Sequence, residues 1–267
     1  MMGAKLYSYR YVCGDREVIA ELLVDHSARV VKHLARVRGS PLSRYAVLKG
    51  GVNEEDFVNA LAIAGALHDV GKAFYQSSEH RDGRGCRYLS FMGHEWISAY
   101  FIQQLRTNAI ARRSPIARLL DVTFYAVLLH HHAMDVRDRA RKSITRLRPP
   151  HREEVIDGLS ELSQLIPDEV IRGTYLKILE SVTDKVLRSI RTGLADIVAF
   201  VRDTYFNLLR RSAGMRGRRV LYLLGVAALV TADYLAAGEV RGPSSSRFWH
   251  VVREFSEAYF SKSGIRC

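Results

Sequence analysis

Residues 66–72 read Ala66-Leu67-His68-Asp69-Val70-Gly71-Lys72. They continue a stripe of Phe57, Leu61, Ala64 and Gly65, whose three- and four-residue spacing predicts a helix over 54–68. On that stripe His68 takes a place that a core ordinarily gives to leucine, and a carboxylate follows at once. Burying such groups without partners costs several kcal/mol. The stretch therefore predicts a helix end that carries a polar site inside an apolar core.

The same helical period extends outward in both directions. Over 17–38 the stripe Ile19, Leu22, Leu23, His26, Val30 turns another imidazole inward. Further helices are predicted over 94–105, 115–131, 169–211 (broken near Gly173 or Gly193), 220–238 and 247–260. Residues 5–12 alternate weakly and predict a short strand. Turn chemistry lies at 39–41, 50–51, 82–85, 149–150, 214–217 and 242–246. No internal repeat or low-complexity linker interrupts the pattern, so an all-α, single globular domain over 1–267 is expected.

Histidine and aspartate recur at inward positions of these helices. His94 begins the face continued by Ile97, Phe101 and Leu105, and His130 and His131 follow Val127 by three and four residues. Asp233 is the one charge in the apolar stretch 220–238. That stretch is long enough to suggest a membrane span, but a central acid is costly there, so it is read as a buried core helix with no membrane partner. Five helices that each bury a metal-ligating residue type predict one shared metal cluster in the helical core.

Composition constrains the partner. The chain has 267 residues with 40 Lys and Arg against 28 Asp and Glu, a net charge of +12, and 32 of the 40 cations are arginine. Such an excess predicts a polyanionic partner, with an arginine-rich thermophilic proteome as the bland alternative. Arg81, Arg84 and Arg87 precede His94, Arg137, Arg139 and Arg141 follow the histidine run, and Arg210, Arg211, Arg216, Arg218 and Arg219 precede the Asp233 helix. The first two groups predict an electropositive path for a single-stranded backbone, with Tyr75, Tyr88 and Phe91 available for stacking. Cys13, Cys86 and Cys267 are odd in number and far apart, which predicts a reducing cytoplasm and no disulfide framework. The amino-terminal stretch does not read as a signal peptide. Residues 65–73 lack the spacing and hydroxyl of a phosphate-binding loop, so no nucleotide-driven motor is expected.

The His68–Asp69 pair followed by Gly71-Lys72 resembles the HD superfamily of metal-dependent phosphohydrolases. The ordered series His26, His68–Asp69, His94, the histidine pair within 130–132, and Asp233 resembles the stand-alone HD nuclease subunit of archaeal type I CRISPR interference. The resemblance spans about residues 15–240. It implies that His26, His68, Asp69 and Asp233 bind one metal, and that Asp69 bridges to a second held by His94 and two of His130, His131 and His132. Helical phase favours His130 with His131, while an earlier helix end would pair His131 with His132. Two bridged cations about 3.5–4 Å apart suit phosphodiester hydrolysis, one activating water and the other stabilising the leaving oxygen. Imidazole-rich sites favour Mn, Co, Ni, Fe or Zn over Mg. Asp69 and Lys72 are the expected catalytic residues. Lys72 would meet a phosphate oxygen as a point charge, its bland reading being a solvated helix-end lysine.

The implied function is metal-dependent cleavage of single-stranded DNA, and of RNA if the site accepts it, in cytoplasmic antiviral defence. A separate helicase subunit and an RNA-guided target-binding complex would be its partners. Two other readings stay open: an HD phosphohydrolase of dNTPs, cyclic nucleotides or alarmones, and a non-catalytic, metal-stabilised nucleic-acid-binding subunit.

Overall fold

Asn53 caps the central helix by accepting the Glu55 backbone N–H at 2.7 Å, and Glu54, Glu55 and Asp56 put negative charge on its positive end. In the computed structural model, which describes residues 5–111, 115–131, 147–242 and 247–261, this helix runs Glu54–Leu67 and is buried along most of its length. Before it come α1 (Leu23–Ala35) and α2 (Pro41–Gly50), so the central helix is α3. After it come α4 (His94–Ala111), α5 (Leu120–Leu129), α6 (Arg152–Glu161), α7 (Glu169–Arg191), α8 (Ala195–Arg211), α9 (Arg216–Arg241) and α10 (Arg247–Tyr259). Short 3-10 segments lie at Val70–Tyr75, Pro115–Arg118 and Leu162–Leu165. The fold is helical, with α1, α2, α5 and α9 packed on α3, and α4 packed on α5 and on the 3-10 turn that follows α3.

Several boundaries differ from the sequence expectation for physical reasons. The predicted helix over 169–211 breaks at Gly193, which takes φ 85°, and Leu194 follows at φ 58°, so a left-handed turn separates α7 from α8. The helix expected over 115–131 opens as a 3-10 turn and closes at Leu129. α4 and α9 run longer than expected. α2 and α6 were hidden behind the turn signals of 39–41, 50–51 and 149–150: Pro41 stands in the first turn of α2, whose cap is Ser40.

The expected helix over 17–38 begins late. Gly14, at φ 60°, turns the chain back, so Arg16–Leu22 forms strand β2 against β1, Tyr7–Cys13. β3 (Glu79–Arg81) and β4 (Arg87–Leu89) complete an antiparallel sheet in the order β2-β1-β4-β3. The 82–85 turn joins β3 to β4, with Asp82 accepting the backbone N–H groups of Arg84 and Cys86. Pairing of Val12 with Arg87 brings the neighbouring Cys13 and Cys86 together, and they form a disulfide. This corrects the expectation of unpaired thiols.

Among the described residues, α9 has the length and apolarity to cross a membrane, yet half of its apolar window is buried in the protein. Leu221, Gly225, Ala228, Leu229 and Ala232 are all buried, in a helix that packs chiefly on α5 and α1. That is the packing of a core helix.

Candidate metal centre

Helix ends place most of the polar cluster. His68 caps the carboxyl end of α3, Asp69 leaves helical geometry at φ −106°, and the following 3-10 turn carries Lys72. His94 is the first residue of α4, and His130 and His131 follow the last turn of α5. His26 and Asp233 come from the bodies of α1 and α9. Although α1 starts later than expected, His26 keeps its inward phase with Leu23, Val30 and Leu34.

Asp69 lies at the middle, 1% exposed, with its two oxygens facing different groups. Oδ2 is 3.3 Å from His68 Nε2 and 3.6 Å from His26 Nε2. Oδ1 is 2.8 Å from His94 Nε2 and 3.8 Å from His130 Nε2. Asp233 Oδ1 joins the first group, 2.9 Å from His26 Nε2 and 3.7 Å from His68 Nε2. His131 joins the second, its ring centroid 5.1 Å from that of His94 and 4.0 Å from that of His130. Two sets therefore offer ligand atoms within 4.8 Å of one another: His26, His68 and Asp69, and His94, His130 and His131. His132, the other candidate partner of His131, lies outside the described residues.

Hydrogen bonding on the far side of each ring fixes which nitrogen faces the cluster. Nδ1 of His68, His94 and His130 lies 2.9, 2.6 and 2.6 Å from the carbonyl oxygens of Gly65, Phe91 and Val127. A carbonyl only accepts, so each Nδ1 carries a proton, and each Nε2 presents a lone pair whenever its ring is neutral. Those three buried Nε2 atoms make no hydrogen bond, though they stand close to carboxylate oxygens. A ring nitrogen facing a carboxylate calls for a cation between them, a proton or a metal ion, and imidazole with carboxylate is a donor set that divalent transition metals take. The residues thus fit a two-ion centre.

The charges of the metal-free cluster differ from ring to ring. Burial would lower His68, but the Asp69 and Asp233 carboxylates outweigh it and lift it to about 10. Burial and the nearby imidazoles push His130 down to about 3. Burial opposes ionisation of Asp69, yet His68 and Lys72 hold it well below the usual carboxylate range. Without metal, His68 therefore holds a proton between the carboxylates that a bound cation would displace, while His130 is already neutral and free to act as a ligand, so metal binding releases protons.

His26 is held differently. Its Nδ1 lies 3.0 Å from Glu21 Oε1, a carboxylate on β2 that is 2% exposed. Glu21 also accepts from Arg29 at 2.5 Å and from Arg241, at the end of α9, at 3.2 Å. Burial alone would raise Glu21; His26 and the arginines overcome it and pull it down to about 2. Glu21 was missed as a site residue. The signal would have been an acid five positions before His26, but only the strand conformation of residues 16–22 gives that spacing meaning.

Lys72 is buried, with Nζ 2.5 Å from Asp69 Oδ2 and 5.3 Å from the Phe91 ring centre, which removes its reading as a solvated helix-end lysine. Gly71 donates its N–H to Ser98 Oγ, and a Cβ there would meet the His94 carbonyl oxygen at 2.0 Å. Its lack of a side chain lets the Asp69 turn abut the start of α4. Of the three aromatics suggested for stacking, Tyr75 is buried in the core and unsuited, Phe91 packs against the core, and Tyr88 is half-buried beside His80.

Arg81 and Arg84 are exposed and Arg87 is partly exposed, all on the β3–β4 hairpin that leads into α4. Arg87 lies 3.6 Å from Glu79, so its charge is shared locally. Arg137, Arg139 and Arg141 lie outside the described residues.

Comparison with known proteins adds one finding: the profile of the HD domain family matches residues 23–178. That span holds His26, His68, Asp69, His94, His130 and His131, and Asp233 falls beyond it. No curated protein and no solved structure matches the chain.

Proposed function

The chain belongs to the HD domain family, and from that premise we propose that this metal-dependent phosphohydrolase is a nuclease that cuts single-stranded DNA, with RNA as a second polymer to be tested. The hydrolytic part is carried by one observation: the two oxygens of Asp69 face two separate histidine groups. The nuclease part is supported by the +12 charge and by the arginine hairpin before His94.

Divalent ions bound there would supply a nucleophilic water at neutral pH and neutralise charge on the phosphate. His26, His68, Asp69 and Asp233 would hold one ion, and Asp69, His94, His130 and His131 the other. The main-chain carbonyls keep the Nε2 lone pairs aimed inward, so little rearrangement is needed on loading. Lys72 balances the Asp69 charge and places a cation where a non-bridging phosphate oxygen arrives. The resemblance of the ordered series further supports action in CRISPR defence, in the cytoplasm, with a separate helicase and an RNA-guided complex.

The test is cleavage of circular and linear single-stranded DNA, RNA, duplex DNA and a nucleotide panel with Mn²⁺, Co²⁺ or Ni²⁺. Fragmentation of single-stranded DNA, abolished by chelation, is the expected result. Turnover of free nucleotides with polymers left intact would replace the proposal by the nucleotide phosphohydrolase reading. Burial favours that second reading: Asp233 has a side chain only 14% exposed, and His26, His68 and Asp69 have 1% or less.

A further inference from the structure

The third arginine group, residues 210–219, borders an open groove of about 1090 Å³. Its wall is aromatic. Tyr125 and Tyr222 are stacked with ring centres 4.1 Å apart, and Tyr205 leans on Tyr125 at 5.3 Å. Tyr125 also donates its hydroxyl to the Tyr205 carbonyl, fixing α8 against α5. Phe206 joins this wall at 49% exposed, and Leu223 in the same groove is 71% exposed, so the lining carries an exposed apolar patch of the kind that marks a binding site. Arg210 and Arg219 stand exposed on the rim. The acidic group there, Asp203, lies 3.3 Å from Arg202.

The groove reaches the shoulder of the metal centre. Leu129 lines it and is followed directly by His130. Val226 also lines it, two helical turns before Asp233 on α9, or about 10 Å along the axis. None of the described cluster residues lines the groove, but an aromatic floor, a cationic rim and walls built on the two helices that carry His130 and Asp233 together match one occupant, an unstacked nucleotide of a single strand. We propose that this groove seats a nucleotide of the substrate strand next to the one being cut, with its base on Phe206 and Tyr205 and its phosphates on Arg210 and Arg219. This rests on the nuclease reading above and assigns the place where the strand is held.

The experiment measures anisotropy of a labelled oligo-dT strand, its metal-dependent cleavage, and turnover of bis(p-nitrophenyl) phosphate, which needs the metals but no groove. For Phe206→Ala, strand affinity should fall roughly five- to a hundredfold, as for the loss of one stacked base. Phe206→Trp should keep it, and Phe206→Leu should lose it. For the Arg210→Ala, Arg219→Ala double variant, the slope of log affinity against log salt should shrink by about 1.4. All variants should turn over the small diester as wild type does. If wild type binds and cuts the strand and the variants do so equally, the groove assignment is overturned and the nuclease reading stands. If Phe206→Leu retains affinity, the surface is merely apolar and the assignment is overturned in favour of protein docking. If wild type neither binds nor cuts single strands while hydrolysing the small diester, both proposals fall.

Discussion

The two halves of the cluster share Asp69 and differ in almost everything else. On one side His26 and Asp233 are brought together from positions 207 residues apart, and the buried Glu21, itself held by the outer arginines Arg29 and Arg241, holds the imidazole. On the other, His94 and His130 are each fixed by the carbonyl three residues earlier in their own chain segment. The first half mixes carboxylate oxygen with imidazole; beyond Asp69, the second offers imidazole. The first half therefore suits harder ions such as Mn²⁺, and the second suits Co²⁺, Ni²⁺ or Zn²⁺. One half depends on tertiary assembly, the other on local backbone geometry.

Asp69→Ala should break both halves at once. Metal analysis should find neither ion, and cleavage of any phosphodiester should fall to background while the circular dichroism stays helical. Retention of one ion would show that the halves do not share this carboxylate. Separating them comes next: Asp233→Ala should remove the first ion and His94→Ala the second, each taking the stoichiometry from two to one. Loss of both ions from either variant would mean that the halves bind as one unit.

Gly71→Ala drives a methyl group into the His94 carbonyl and should move the halves apart. A cost of about 1–3 kcal/mol, read by denaturant melting, is expected for such overpacking, together with weaker binding of the second ion. The smallest effect is expected at Glu21. Glu21→Gln keeps the shape but weakens the hold on His26, so the first ion should bind some ten- to hundredfold more weakly, as is typical when an outer-shell partner is lost. The second ion should be unaffected. In metal-free protein Glu21 is depressed from 4.5 to about 2, so its contribution to stability is present above pH 4.5 and lost as pH falls toward 2. The glutamine variant should therefore show a flatter acid unfolding curve across that window.

The contrast between the halves also explains what could be read from the chain. His68, Asp69, His94 and the histidine run announce themselves through local spacing, because the interactions that orient them are three residues away. His26 was visible from its stripe even though its helix began elsewhere. Glu21 and Arg241 were not, because their meaning depends on a strand that returns beside β1 and on the far end of α9. Residues 17–22 satisfy a helical stripe and a strand equally well, and the turn at Gly14 decides between them. β3 and β4 span three residues each, too few for alternation to register. The disulfide was invisible for the same reason, since it follows from the β1–β4 pairing.

That bond, Cys13–Cys86, spans 73 residues of sequence, and His26, His68 and Asp69 all lie inside the span. Its consequence is felt by the unfolded chain. Closing a loop of this size removes chain entropy worth about 4 kcal/mol, and it confines three ligands of the first half to one covalent ring before any helix has formed. His94, His130 and Asp233 lie outside that ring and must be recruited by folding alone. A reductant should therefore lower the melting temperature without touching a single metal ligand. The amino-terminal sheet, which in the folded protein reaches His26 through Glu21, thus also acts as a tether on the disordered state of half the centre.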